Sequence, residues 1–355
     1  MRVLVFSERL GPPFDEGVKN VALNLVRQLA RSHRVLTLTT HGTDIPELGV
    51  ENLPALGRLL WSRQLRRRIR SFAPDRVCYL PTASMTPWSF LRARALGGHA
   101  CGTPLTMIAL QPRRVTAWTR VCIRRGVPER VIVQSERTAR LLAGLPTRVS
   151  FVPVGVDRER FSPVAPARRE ALRRRFGLGP SRTVVLHVGH VNRNRNVQVL
   201  EAIQRLDGIQ TVLLASGSTR TDSTLLAELV AAGVLVVTET LADPETLFQL
   251  ADLYVFPCPP DRPVEHTPAI ETPLSVLEAM ASDLPVVTTR FGGLPDLFAP
   301  GDGVVYVETP SSDEEWRRAA LQGLATGPGH TRARTALCSW QHLADAALGL
   351  EDRGA

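Results

Sequence analysis

The residues best suited to chemistry lie between Glu265 and Phe298, in the run EHTPAIETPLSVLEAMASDLPVVTTRFGGLPDLF. Leu274, Leu277 and Ala281, with Val276 and Met280, have the spacing of a helix with a buried stripe. Thr272-Pro273 predicts its start, a capping hydroxyl followed by proline at the first helical position. The amides of Leu274 and Ser275 at such an end lack helical acceptors and can hold an anion. Glu278 follows about a turn and a half further in, and its carboxylate can accept two hydroxyl hydrogen bonds, as a ribose offers. The pair fits a nucleoside diphosphate, with phosphates on the helix end and ribose at Glu278. A buried helix carrying one solvated glutamate fits the same residues equally well. Asp283 closes the helix, Leu284–Thr289 reads as a buried strand, and Phe291-Gly292-Gly293 lets a backbone approach a ligand.

A second group of chemical residues lies in TVVLHVGHVNRNRNVQVLEAI, residues 183–203. The pattern gives a strand, Gly189 at a turn, a short polar loop with His190 and Arg195, then a helix. Arg195 can grip a phosphate in a planar fork. His190 reads equally as a phosphate ligand and as a structural residue. His187, inside the strand, reads as a satisfied core histidine. Near the start, the loop GPPFDEG separates a strand over 2–7 from an amphipathic helix over 18–30. Gly17 can present its amide to a phosphate there, although a plain strand-to-helix turn accounts for it as well.

These groups need a scaffold, and the remaining pattern supplies one. Apolar runs at 34–40, 75–80, 104–111, 211–216, 235–240, 252–258 and 304–309 read as buried strands, with helical segments among them. A chain of 355 residues with 44% apolar content suits two soluble α/β domains. No apolar run of about 18 residues exists to span a bilayer. The opening MRVLVFSERL is charged too soon for a secretory signal, and the five cysteines lack metal-ligand spacing, so reduced thiols and a cytoplasmic location are expected. The net charge of +9 comes almost wholly from arginine and favours anionic partners. Aromatic content of 5% and the lack of a nucleic-acid motif argue against nucleic acid. Over 58–72, Trp61, Leu65, Ile69 and Phe72 predict a packed helix, with Arg63, Arg66, Arg67 and Arg70 off its stripe. Those arginines read as a solvated face or as a surface for anionic headgroups, and Arg113, Arg114, Arg120, Arg124 and Arg125 extend the basic character.

Several motifs together resemble the retaining glycosyltransferases of family four, which have the GT-B fold. Glu278-Ala279-Met280-Ala281, Leu284-Pro285-Val286-Val287 and Gly292-Gly293-Leu294-Pro295 match their donor-binding segment. Pro153, Gly155, Val156, Asp157, Phe161 and Pro163 match the interdomain crossing, and Ser339-Trp340 the final helix. The resemblance implies two doubly wound, Rossmann-like domains facing a cleft: 1–158 on the acceptor side, 159–330 on the donor side, and 331–355 crossing back. It implies donor contacts at Gly17, Gly189, His190, Arg195, Leu241, Leu274, Ser275 and Glu278. Arg195-Asn196 stands where the family has lysine with glycine or asparagine, and His190 where it has arginine. The family's first glutamate, which contacts the donor sugar, is replaced by Ile270, with Glu271 one residue late. Gln111 follows Leu110, which takes the place of a histidine beside the reaction centre, so Glu271 and Gln111 are the expected catalytic-side residues. The implied substrates are a UDP- or GDP-linked sugar and a glycan, glycolipid or small-molecule acceptor. No Asp-x-Asp pair stands beside the site, so no metal or other cofactor is expected, and the basic first half points to a peripheral place on the inner face of the membrane. Two other readings remain: a non-catalytic GT-B relative that binds a nucleotide or a protein partner, and a GT-B nucleotide-sugar epimerase.

Overall fold

The computed structural model describes residues 1–53, 57, 59–113, 115–124, 128–217, 221–260 and 269–350. Arg58, Arg114, Arg125 and residues 265–268 of the donor-segment expectation lie outside them. The chain divides into two compact units. One comprises Met1–Gly155, Pro268–Thr272 and Trp340–Ala355; the other comprises Val156–Thr267 and Pro273–Ser339.

The first unit runs β1 (Arg2–Leu10), α1 (Gly17–Ala30), β2 (Arg34–Gly42), β3 (Val50–Asn52), α2 (Arg63–Phe72), β4 (Arg76–Leu80), α3 (Pro87–His99), β5 (Leu105–Ala109), α4 (Ala117–Arg124), β6 (Arg130–Val133), α5 (Glu136–Leu142) and β7 (Arg148–Phe151). The second runs α6 (Pro166–Arg175), β8 (Thr183–Gly189), α7 (Val199–Gln204), β9 (Ile209–Ala215), α8 (Ser223–Ala231), β10 (Leu235–Val237), α9 (Glu245–Leu250), β11 (Leu253–Phe256), α10 (Leu274–Ala281), β12 (Val286–Thr288), α11 (Leu294–Leu297), β13 (Val304–Tyr306) and α12 (Asp313–Thr326). The last helix, α13 (Trp340–Leu348), returns to the first unit. The strands form two parallel sheets, of order β3-β2-β1-β4-β5-β6-β7 and β10-β9-β8-β11-β12-β13. Both sheets reverse direction of growth beside their first strand, between β1 and β4 and between β8 and β11. Such a reversal opens a crevice at the carboxyl ends of the strands, where ligands bind in doubly wound sheets.

Side-chain alternation decides which helices cover which face. On β4, Val77 and Tyr79 join Leu4, Phe6 and Met107 in a core closed by Leu65 of α2, Phe90 of α3 and Ile123 of α4. Cys78 points the other way and donates to the Ala347 carbonyl of α13 at 3.9 Å. In the second unit Val185, Leu213, Val255 and Val287 pack with Leu200 of α7, Leu225 of α8 and Trp316 of α12. No helix among the described residues is long and apolar enough to cross a membrane.

The structure adjusts several expectations. β1 continues to Leu10, because Arg9 and Leu10 pair with His41 and Gly42. The edge strands β10 and β13 each stop after three residues, where one neighbour alone holds them. The basic helix starts at Arg63, capped by Ser62 Oγ, so Trp61 lies ahead of it and is 76% exposed instead of joining the buried stripe. The expected domain limits at 158 and 330 also move. The first unit ends at Gly155, and residues up to Ser339 stay with the second. Arg332 holds that tail in place: its guanidinium donates to the Arg158 carbonyl at 2.7 Å and the Phe161 carbonyl at 2.9 Å, and its amide to Asp283 at 3.0 Å. The crossing back therefore begins at Trp340.

Candidate functional site

In the second unit the strand order places the end of β8 and the segment following β11 at the sheet reversal. Pro273, with extended backbone, is the N-cap of α10, and no side chain caps the helix. The first helical bond runs from the Val276 amide to the Pro273 carbonyl at 3.1 Å. The expected capping role of Thr272 is thus corrected: its hydroxyl donates to the Gln134 carbonyl at 3.4 Å, and the proline stands one position before the first turn. With the hydroxyl drawn away, the amides of Leu274 and Ser275 remain at a helix end with no side-chain cap, the arrangement that suits an anion.

Tyr254 of β11 ties this helix end to β8. Its hydroxyl donates to the Val188 carbonyl at 3.4 Å and is hydrogen-bonded to the Ser275 side chain. Its ring stacks between His187 and Phe248, with centroids 6.4 and 5.8 Å away. Burial pushes the phenol above its ordinary range, so it stays protonated and acts as a fixed hydrogen-bonding post. Glu278 lies close enough to reinforce that shift, and Arg195 close enough to oppose it.

Glu278 is half-buried, and burial raises its carboxyl to about 7, with Arg160 opposing and Glu245 adding to the rise. A plainly solvated glutamate would not show this rise. A carboxylate kept from water gains most when hydroxyl donors are brought to it. Arg195 ends a short 3-10 turn, Arg193–Arg195, and Asn196 beyond it is left-handed. Burial pulls the Arg195 guanidinium below its usual value, with Cys258 and Tyr254 opposing. A cation under that pressure is relieved by an anionic ligand.

Gly189 stands in a tight place and not at a left-handed turn. A Cβ there would lie 3.1 Å from Nε2 of His187. His187 is itself only half satisfied. Its Nδ1–H donates to the Val255 carbonyl at 2.8 Å, whereas Nε2 is buried with no hydrogen-bond partner among the described residues. Burial depresses its pKa to about 4, so the ring is neutral. His190 follows directly on β8, near enough to His187 to contribute to that depression. Leu241 sits half-buried in the loop after β10, outside the interactions just described.

The other expected residues belong to the first unit, where the short stretch 269–272 brings them together. Ile270 is buried against Gly17, whose Cβ, if present, would lie 3.0 Å from the isoleucine Cδ1. The Glu271 amide donates to the Leu110 carbonyl at 3.0 Å, next to Gln111, which is buried. The Glu271 carboxylate accepts from Ser135 Oγ at 3.0 Å and from Thr138 Oγ1 at 2.9 Å, at the start of α5. Both hydroxyl residues are buried, so removing their acceptor leaves two polar groups unsatisfied, at about 1–3 kcal/mol each. Glu271→Ala is expected to lower the melting temperature, and Glu271→Gln, which keeps one acceptor, to lower it less; equal melting of all three proteins would show the tether to be idle.

Residues 182–326 match the family model for glycosyl transferases group 1, and residues 16–160 match that for glycosyltransferase family 4. The chain belongs to the family-four type of glycosyltransferases. Among curated relatives, α-maltose-1-phosphate synthase of Mycobacterium tuberculosis is 26% identical over 228 residues, 58% of this chain and 57% of its own length. D-inositol 3-phosphate glycosyltransferase of Rhodococcus jostii is 30% identical over 240 residues, 61% of this chain and 49% of its own. The chain thus spans about half the length of the curated relatives it matches. Among solved structures, HepE of Anabaena in complex with UDP and glucose aligns over 99% of both chains, with a TM-score of 0.72 at 17% identity. Sucrose-phosphate synthase of Thermosynechococcus elongatus gives the same TM-score and identity, over 99% of this chain and 98% of that one. These likenesses establish the GT-B fold, with its two Rossmann-like units.

In this chain motif reading misses Tyr254, which sits in the middle of an apolar strand with no flanking signal. Its partners come from β8 and α10, and local spacing cannot reveal them. Ile270 presents the opposite case. It shows in the sequence as a departure from the family pattern, and the structure gives the departure a packing role against Gly17.

Proposed function

We propose that the chain is a retaining hexosyltransferase that carries a sugar from a nucleoside diphosphate to an acceptor hydroxyl. One observation carries this reading: the uncapped amino end of α10, with Glu278 at about 7 in its second turn, lies at the reversal of a parallel sheet and is tied through Ser275 to Tyr254, near which Arg195 also lies. The amides of Leu274 and Ser275 and the cation of Arg195, with His190 and the backbone at Gly189, take the diphosphate. Glu278 takes the ribose hydroxyls, and the loop at Leu241 takes the base. In the transfer, the bond from the sugar C1 to the diphosphate oxygen breaks and its electron pair leaves with the diphosphate. The acceptor oxygen bonds to C1 on the same face, and its proton passes to the departing diphosphate. Negative charge grows on the leaving group, where fixed amides and a guanidinium stabilise it without reorganising. These groups make a metal unnecessary in this reading. In the first unit this reading offers two donors, the Gly17 amide to a phosphate oxygen and the Gln111 side chain to a sugar or acceptor oxygen, while Glu271, engaged by Ser135 and Thr138, holds its loop.

UDP is the first nucleotide to test, since HepE is solved with it, and GDP the second. The acceptor is a glycan, glycolipid or small molecule, and the enzyme works in the cytoplasm, peripherally on the inner face of the membrane. The experiment is a melting-temperature series with UDP, GDP, TDP and ADP, followed by donor hydrolysis with the sugar nucleotide of the best ligand. A ligand present at 100 times its Kd stabilises by about 2.7 kcal/mol. No shift with any of the four would remove the reading.

The rival is a GT-B relative that binds a nucleotide and no longer transfers. It draws on Ile270, whose side chain is buried against Gly17 where the family carries its first glutamate. A nucleotide shift without hydrolysis or transfer from any sugar nucleotide would favour it.

A further inference from the structure

We propose that the helical layer α2–α3–α4 of the first unit docks on an anionic lipid bilayer, through solvent-exposed tryptophans and arginines on the same helices. Between Glu51 and Glu129 the sequence holds fourteen arginines and a single acid, Asp75. The three helices contain no acidic residue. All three pack on the same face of the first sheet, contributing Leu65, Ile69, Phe90, Leu96 and Ile123 to one core. Their outward sides therefore belong to one layer. That layer is not simply polar. Trp61 is 76% exposed, Trp118 59%, and Trp88 and Val121 39% each. Trp118 and Val121 are one turn apart on α4, while Cys122 and Ile123 fill the core behind them.

The outward placement of Trp61 is built in. Leu60 adopts a left-handed φ of 59°, uncommon for a branched aliphatic residue, and is buried, which turns the next side chain out. The Leu60 carbonyl accepts from His99 Nε2 at 2.9 Å, fixing this corner to the end of α3. Around it stand Arg63, Arg66, Arg67 and Arg70, all exposed, with no salt bridge to any of them among the described residues. Arg68, by contrast, is committed to Glu51.

Two independent features thus point to one occupant. Guanidinium groups without acids favour phosphate-bearing surfaces, which lipid headgroups and nucleic acid share. Exposed indoles on the same layer separate the two, because the bilayer interface accepts an apolar ring body with a polar edge. A membrane-seated layer would also bring a lipid-linked acceptor to the first unit. The surface itself does not depend on the transfer reaction.

Flotation with vesicles tests the idea. At 0.1 M salt the full chain is expected to bind vesicles of 70% phosphatidylcholine and 30% phosphatidylglycerol at least tenfold better than pure phosphatidylcholine, with a blue shift of tryptophan emission. Replacing Arg63, Arg66, Arg67 and Arg70 by glutamine should weaken partitioning about fivefold per residue. The double change Trp61→Ala and Trp118→Ala should abolish the blue shift. Both variants should keep the parent melting temperature and nucleotide response, which separates a failure of this surface from a failure of the donor site. Equal binding to both vesicle types, binding unaltered in the variants, or binding to a DNA duplex without binding to vesicles would each overturn the proposal. So would self-association of the parent that the tryptophan changes dissolve, since a second copy would then be the occupant.

Discussion

Glu278→Ala is expected to weaken nucleotide binding about 100-fold or more, because two hydroxyl hydrogen bonds to a carboxylate, at roughly 1.5–3 kcal/mol each, are lost together. In a melting experiment with ligand at 100 times the parent Kd, stabilisation of about 2.7 kcal/mol would fall to about 0.4 kcal/mol. The nucleotide-free variant should melt no lower than the parent near pH 8, since the substitution removes a carboxylate that burial disfavours. That control separates a lost ligand contact from a damaged fold. An unchanged nucleotide response in Glu278→Ala would show that the ribose lies elsewhere.

The same carboxyl predicts a pH dependence with a definite sign. Its folded pKa, about 7, stands above the ordinary 4.5, so the folded chain holds the proton longer than the unfolded chain. Stability without ligand therefore declines as pH rises from about 4.5 to about 7, then levels. Nucleotide affinity runs the other way. Ribose hydroxyls donate best to the carboxylate, so affinity should climb up to about tenfold per pH unit below 7 and flatten above it. Glu278→Gln should remove that slope, and a parent whose affinity does not vary with pH would contradict the assignment.

Arg195→Ala is the second large expectation, with kcat/KM for transfer reduced by about 10² to 10³. Burial pulls the guanidinium below its usual value, and in the function proposed above it meets the leaving diphosphate without reorganising. Its effect should fall more on turnover than on nucleotide affinity, because the diphosphate gains charge as the sugar departs. Arg195→Lys should recover part of the rate, as a point charge replaces a fork. Transfer at the parental rate in Arg195→Ala would exclude this cation from the reaction.

Local patterns were sufficient for much of this. Alternating apolar runs and helical stripes fixed two parallel sheets, because period and burial are written residue by residue. The α10 stripe, the strand leading to Gly189 and the cations after it were legible for the same reason. Tertiary structure decided every choice of partner. Thr272 looked like a cap, but the Gln134 carbonyl, 138 residues away in sequence, took its hydroxyl and left the helix end bare. Trp61 fitted a buried stripe by spacing, yet the turn at Leu60 put it in solvent. Glu271 looked available for a sugar, and Ser135 and Thr138 engaged it. Spacing reports which side chains share a face; it carries no information about which distant donor, acceptor or core will claim them.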